Sequence, residues 1–411
     1  EVGLLYPGGP GFATPIDVPS EKGREVAKAF RRAVADTTYY QQYFDHDEVE
    51  IPIEVIEEYI HQACLCQLQL TTAPDRPLLL DVFLYGGLEE TAAARRETFR
   101  LFLDIVDQNQ EFRIDQNQFR QLLYFGGAGG GATYSPRATV MSTYRRWRLY
   151  QAREYYAFAL NALWYHLCDW GVWQGGDARP IPISQLWHYV EHGLDFDALA
   201  QHLNVPGPRL REGSDLRSLL DWLREVAGTW PPSLDDPYDL QAPIHEHRLY
   251  ELAMRDRQSS EIMVAGMVAL LALIVCRFGE PDLWFEDEWS ISRMGAEGRL
   301  SLSVFLHTVH QRLKGGPFTI GEFTRWLYAD YVILQHQLVA TGKLPDNTFR
   351  FHREGDRLRF YSLENPLGFM DSRFTALSTT VHELGLCGNF DFPQHPLTPD
   401  GRSLLETGDL P

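Results

Sequence analysis

Ile262-Met263-Val264-Ala265-Gly266-Met267-Val268-Ala269-Leu270-Leu271-Ala272-Leu273-Ile274-Val275-Cys276 is the longest apolar run in the chain, bounded by Glu261 and Arg277. As a helix it spans roughly 22 Å, short of the roughly 30 Å of bilayer hydrocarbon. It predicts a buried central helix, and a helix apolar on every side needs other helices around it. The sequence supplies them. A 3.6-residue apolar period with helix start signals recurs near 20–35, 52–69, 89–106, 115–125, 137–170, 182–192, 214–228, 245–277, 301–314 and 319–341, with another helix near 372–384. Alternating strand patterns are rare. One occurs at 349–361, where Phe349 and Phe351, then Leu358 and Phe360, flank Glu354-Gly355-Asp356 and predict a β-hairpin. The expected class is mainly α, a multi-helix protein with one small hairpin.

Composition agrees. A chain of 411 residues, 44% hydrophobic and with 10 Trp, has ample apolar surface for two or three cored domains. Its formal charge of −19 disfavours a protein whose whole surface serves DNA or an anionic membrane, and leaves room for a local basic patch. The five Cys at 64, 66, 168, 276 and 387 form no Cys-x-x-Cys pair and suit a reducing compartment. With no secretory leader visible, a cytoplasmic location is expected. Lys occurs only at 22, 28, 314 and 343, so Arg supplies the other 33 of 37 basic residues, a bias typical of GC-rich bacterial genomes. None of the four Lys completes Gly-x-x-x-x-Gly-Lys-Ser/Thr or Ser-x-x-Lys, and Gly-x-Ser-x-Gly and His-Glu-x-x-His are absent. A standard P-loop ATPase is thereby excluded, no cofactor is expected, and the chain leans away from catalysis. Breaks at 126–131, 204–214 and 230–243 divide the expected domains as 1–70, 71–228, 229–315 and 316–411.

The two ends of the chain echo each other. After the helix at 372–384 come Leu384-Gly385-Leu386, a Pro- and Asp-containing stretch, and Leu397-Thr398-Pro399-Asp400-Gly401-Arg402-Ser403-Leu404-Leu405. Gly385 is suited to end a helix in the left-handed conformation and Thr398 to cap the next. At the other end stand Gly3-Leu4-Leu5, a Pro/Gly-rich stretch, and Pro19-Ser20-Glu21-Lys22-Gly23-Arg24-Glu25-Val26-Ala27. The C-terminal pattern resembles the recognition-helix, wing and closing-helix segment of bacterial winged-helix regulators, over about 319–407. The N-terminal pattern resembles the tail of a second copy whose helical part would precede residue 1. The resemblance implies a nucleic-acid or protein contact domain, since the fold serves either use.

Charge is also segregated. Residues 116–153 contain no Asp, Glu or Lys, yet hold Arg120, Arg137, Arg145, Arg146, Arg148 and Arg153. The run Arg145-Arg146-Trp147-Arg148-Leu149-Tyr150-Gln151-Ala152-Arg153 interleaves guanidinium and aromatic groups, which together grip phosphates and stack on bases. Helical spacing would put Arg145, Arg148 and Arg153 on an exposed stripe, with Trp147, Leu149 and Tyr150 inward. The hairpin adds Arg350, Arg353, Arg357 and Arg359, with Arg357 and Arg359 on one face, and Arg373 stands at the head of the helix that follows. Internal pairing of these Arg with acidic residues is the competing expectation.

Two metal patterns compete with this. His188-Tyr189-Val190-Glu191-His192 matches His-x-x-Glu-His, in which two His one turn apart bind zinc and Glu works on the water. Against it, the helix ends at Gly193. Residues 107–118 are spaced like a calcium loop, but Phe112 replaces the turn Gly and Gln118 the closing Glu, so calcium is not expected. The function expected is a non-catalytic, nucleic-acid-associated subunit of a bacterial assembly, in genome maintenance or defence against foreign DNA. Its contacts would be DNA and other protein subunits, with no membrane. The alternatives are a purely protein-binding scaffold, and a zinc hydrolase using His188, Glu191 and His192.

Overall fold

The computed structural model describes residues 2–46, 50–69, 72–175, 179–228, 230, 234–255, 260–278, 300–361, 373–389 and 392–411. It is mainly helical. In chain order the helices are α1 (Glu21–Val34), α2 (Thr38–Gln42), α3 (Ile53–Ala63), α4 (Arg76–Tyr85), α5 (Glu89–Gln108), α6 (Gln116–Phe125), α7 (Met141–Gly175), α8 (Ile183–His192), α9 (Phe196–His202), α10 (Leu216–Val226), α11 (Glu246–Arg255), α12 (Ser260–Phe278), α13 (Leu302–Gly315), α14 (Ile320–Trp326), α15 (Leu334–Gly342), α16 (Phe374–Glu383) and α17 (Pro399–Thr407). The strands are β1 (Leu5–Tyr6), β2 (Val18–Pro19), β3 (Pro180–Pro182), β4 (Phe351–Glu354) and β5 (Arg357–Phe360). No described helix is long and apolar enough to cross a membrane.

The chain divides into two compact units. The first comprises Glu1–Leu122, Gly126–Tyr144 and Arg373–Pro411, the second Leu123–Phe125 and Arg145–Ser372. The boundaries expected near 70, 228 and 315 fall inside these units. The stretch 319–407 that resembles a winged helix is shared between them, its hairpin in the second unit and α16 and α17 in the first.

The second unit is built around α12. From 263 to 274 no side chain is more than 1% exposed, because α9, α10, α11 and α13 pack round it. Burying a large aliphatic side chain contributes about 1.5–3 kcal/mol, so this run supplies much of the unit's stability. Thr319 caps α14 with Glu322 reciprocating, as the sequence predicts. The helix expected at 319–341 is not uniform, however: Leu327–Ile333 is a π-helical segment between α14 and α15. The hairpin forms as expected, β4 pairing antiparallel with β5. A third strand, β3, joins the other edge of β5, with Ile181 opposite Leu358. Phe351, Leu358 and Phe360 are buried, and Trp170 of α7 meets Phe360 edge-on at 6.1 Å.

The first unit contains the two similar ends. Gly385 stands at φ +71° and Gly3 at φ +77°, a region that favours Gly. Two residues on, Cys387 pairs with Leu397 and Leu5 with Pro19 in antiparallel register. The residue after each partner caps a helix. Thr398 donates its hydroxyl to the Gly385 carbonyl (2.7 Å) and its amide to Leu386 (3.1 Å), and accepts from the Gly401 amide (3.2 Å). Ser20 donates its hydroxyl to Gly3 (2.7 Å) and its amide to Leu4 (2.9 Å), and accepts from the Gly23 amide (3.0 Å). A Cβ on Gly401 would lie 1.8 Å from the Leu386 carbonyl oxygen, and one on Gly23 would lie 2.2 Å from that of Leu4. The echo in sequence is thus the same backbone module built twice, with a longer connecting loop at the N-terminus; residues 390 and 391 of the C-terminal loop lie outside the described residues.

Candidate nucleic-acid interface

The Arg and aromatic run begins the part of α7 that lies in the second unit, and most of it turns to partners inside that unit. Arg145 forks onto the Asp235 carboxylate, an ion pair 90 residues apart in sequence that lowers the Asp235 carboxyl. Arg148 is fully buried, donates to the Leu234 carbonyl (2.5 Å) and lies 4.2 Å from the centre of the Tyr238 ring. Its placement on an exposed stripe is therefore corrected: the 234–238 segment covers that face of α7. Arg146 is half-buried, Trp147 meets Tyr150 edge-on at 5.5 Å, and the Arg153 guanidinium lies 5.7 Å from the Tyr150 ring. Leu149 is buried as expected. Of the other two Arg, Arg120 is buried against Asn117, and Arg137 bridges Asp104 and Asp107.

The hairpin Arg residues divide. Arg359 forks onto Glu354, whose other neighbour is His352, and this pairing holds the Glu354 carboxyl below its usual range. Arg357 and Arg359 do share a face, opposite buried Leu358. Arg353 and Arg357 are exposed, whereas Arg350 is half-buried and donates its amide to His336. Arg373 is exposed at the head of α16, in the other unit. Of the ten candidates, nine lie in the second unit and Arg373 in the first; Arg148 is buried, and Arg145, Arg146, Trp147 and Arg153 are partly exposed.

The metal patterns fare similarly. His188 and His192 approach to 4.1 Å between ring centres, but Glu191 pairs with Arg325. No third ligand joins them, and among the described residues no group of three or more His, Cys, Asp or Glu is placed to hold a metal ion. Asp107 of the calcium-like stretch pairs with Arg137 and Arg402, and Asp115 with Gln118 makes the capping box that starts α6.

The best exposed basic stripe lies elsewhere, in the first unit. On α1, Arg24, Lys28 and Arg31 follow at i, i+4 and i+7 and are exposed, with Arg32 beside them. The helix starts where it does because Ser20 caps it, and its turns are fixed by buried Ala29 and Val34. Sequence reading passed over this stripe because Glu21 and Glu25 dilute its charge. The register of the four basic residues was nevertheless visible.

In the C-terminal module, Phe374 anchors α16 against Phe119 and Phe102 at 5.3 and 6.2 Å. Arg76, nearly buried, donates to the Leu384 carbonyl after α16 (3.2 Å) and to Asp400 in the first turn of α17 (2.5 Å). That leaves Arg373, Thr375, Ala376 and Thr379 outward, with half-buried Glu383 at the C-terminal end of the same face. Compared with known protein families, curated proteins and solved structures, the chain finds no match.

Proposed function

We propose that this chain is a non-catalytic, nucleic-acid-associated subunit whose first unit meets the phosphate backbone. The observation that carries this is the exposed Arg24, Lys28, Arg31 stripe on the helix of a wing module, in a chain whose net charge is −19. The N-terminal part of the outer face of α16 in the second module, with Arg373, Thr375 and Thr379, is compatible with a groove. The resemblance of both modules to winged-helix regulators supports this as analogy of fold. The test is binding of a labelled duplex, DNA and RNA in parallel, across a salt series. Replacing Arg24, Lys28 and Arg31 with Gln should weaken binding and reduce the steepness of log K against log salt by about 3. Replacing Arg145 should change it little. Binding absent from the parent, or unmoved by the triple replacement, overturns the proposal.

A second reading, a protein-binding scaffold, is favoured by a different observation. The N-terminal wing leaves Leu5, Tyr6, Phe12 and Ile16 from 53% to 71% exposed, apolar area of the kind that marks protein contacts. Loss of a stoichiometric partner on Phe12→Ser, Ile16→Ser replacement, with duplex binding intact, would select it.

A further inference from the structure

The second unit encloses an unusual group of polar side chains where α7, α11, the end of α12 and the 234–238 segment meet. Arg148 and Gln151 of α7, Glu246 of α11 and Arg277 of α12 are all at least nine-tenths buried. Glu246 accepts through one oxygen from the Tyr124 hydroxyl (2.9 Å) and from Arg277 Nε (3.1 Å), and its other oxygen has no partner. The two guanidinium carbons lie 4.2 and 4.0 Å from the same Tyr238 ring centre, which keeps them within about 8 Å of each other. Arg277 also lies 4.4 Å from the Trp230 ring centre.

What is left over has a definite shape. On Arg148 the atoms without a hydrogen-bond acceptor are Nε and Nη2, the side-on edge of the guanidinium. On Arg277 they are Nη1 and Nη2, the end-on edge. Each edge is a two-pronged donor that matches two oxygens of an oxyanion. Both ends of the Gln151 amide are unpaired as well. Arg145 pairs with Asp235 and Arg277 with Glu246, whereas among the described residues buried Arg148 forms no ion pair. Water would satisfy the donors but not the charge, and a buried guanidinium without a carboxylate is costly.

We infer that Arg148 and Arg277, with the Gln151 amide, hold one small tetrahedral oxyanion, phosphate or sulfate, as an internal ion of the second unit. The anion gives Arg148 a counter-charge and gives the two guanidinium forks their acceptors. Because the Arg277 side chain is wholly inaccessible, the ion enters when the 234–238 segment is away from α7, that is, during folding or large opening.

The 411-residue chain is prepared in chloride buffer free of both oxyanions, then unfolded in guanidinium, and the released anions are quantified by ion chromatography. About one phosphate or sulfate per chain is expected, and the ratio of the two identifies the occupant. Refolding in chloride alone, then with added phosphate or sulfate, should show a thermal midpoint that rises with the anion and saturates. Arg148→Gln should abolish the rise, and Gln151→Leu, a milder change, should weaken apparent affinity about tenfold. Should Arg148→Gln not fold, the Gln151 variant and the anion count on the parent still decide. Less than a tenth of an anion per chain together with no response to either salt overturns the inference.

Discussion

The twin capped modules of the first unit and the Arg and aromatic run of the second were both prominent in the sequence, and they met opposite fates. In the modules, Gly, the Ser or Thr cap and the second Gly occupy the same places in both copies, and every hydrogen bond that defines the module lies within a single short segment. In the run, each strong interaction is remote: Asp235 is 90 residues from Arg145, and Leu234 is 86 from Arg148. A pattern whose partners are local can be read from the chain. A pattern of long, charged side chains cannot, because the same guanidinium serves a phosphate outside or a carboxylate inside.

The severest way to probe the comparison is to disturb both modules at the same point. Gly401→Ala puts a methyl group into the Leu386 carbonyl oxygen and is expected to cost about 3 kcal/mol or more, with Gly23→Ala somewhat less. Hydrogen exchange should report loss of protection in the first unit while α12 keeps its own; an effect spread evenly through both units would remove the local reading of the modules.

A comparable loss is expected in the second unit from acid. His166 is buried between the hydroxyls of Tyr328 and Tyr189, and burial pushes its pKa down to about 4. Its folded value lies below the unfolded value near 6.5, so the unfolded chain takes up the proton first. Stability is full above about pH 6.5 and falls as pH drops towards 4, by about 3 kcal/mol for this group. Urea midpoints of the second unit should decline through that window, and His166→Gln should flatten the decline. An unchanged slope in the variant would assign the acid sensitivity to other groups, His245 foremost, which burial also holds at about 4.

The smallest effect separates neighbours on one helix. Arg145 keeps 42% of its side chain exposed, so Arg145→Ala should cost under about 1 kcal/mol in urea denaturation despite its well-formed pair with Asp235. A cost of several kcal/mol would mean that the pair is as deeply integrated as Arg148.

Much of the helical architecture was legible. The buried run at 262–276, the caps at Thr319 and Thr398, and the hairpin at 349–361 all follow from periodicity and turn chemistry. Short α2 and α9, and α4, whose apolar residues are spread round its circumference, carried too weak a period to be placed. The π-helical Leu327–Ile333, in which Tyr328 and Tyr331 are buried, has no local sequence signal. Of the candidate interface, the sequence showed that basic charge is segregated, but it could not show that Tyr238 and Asp235 would return to cover α7. The α1 stripe was written in plain spacing and was outshone by the denser run at 145–153.

The twin modules differ in one respect with practical use. A cap hydroxyl and a glycine close each loop at its base, so whatever length lies beyond contributes little to the closure; the N-terminal loop is the longer, and at Gly9 and Gly11 nothing stands within 4 Å of where a side chain would begin. That makes the tip of the N-terminal loop a natural graft point, where an epitope or fluorophore-bearing insert can be carried without entering the body of the protein.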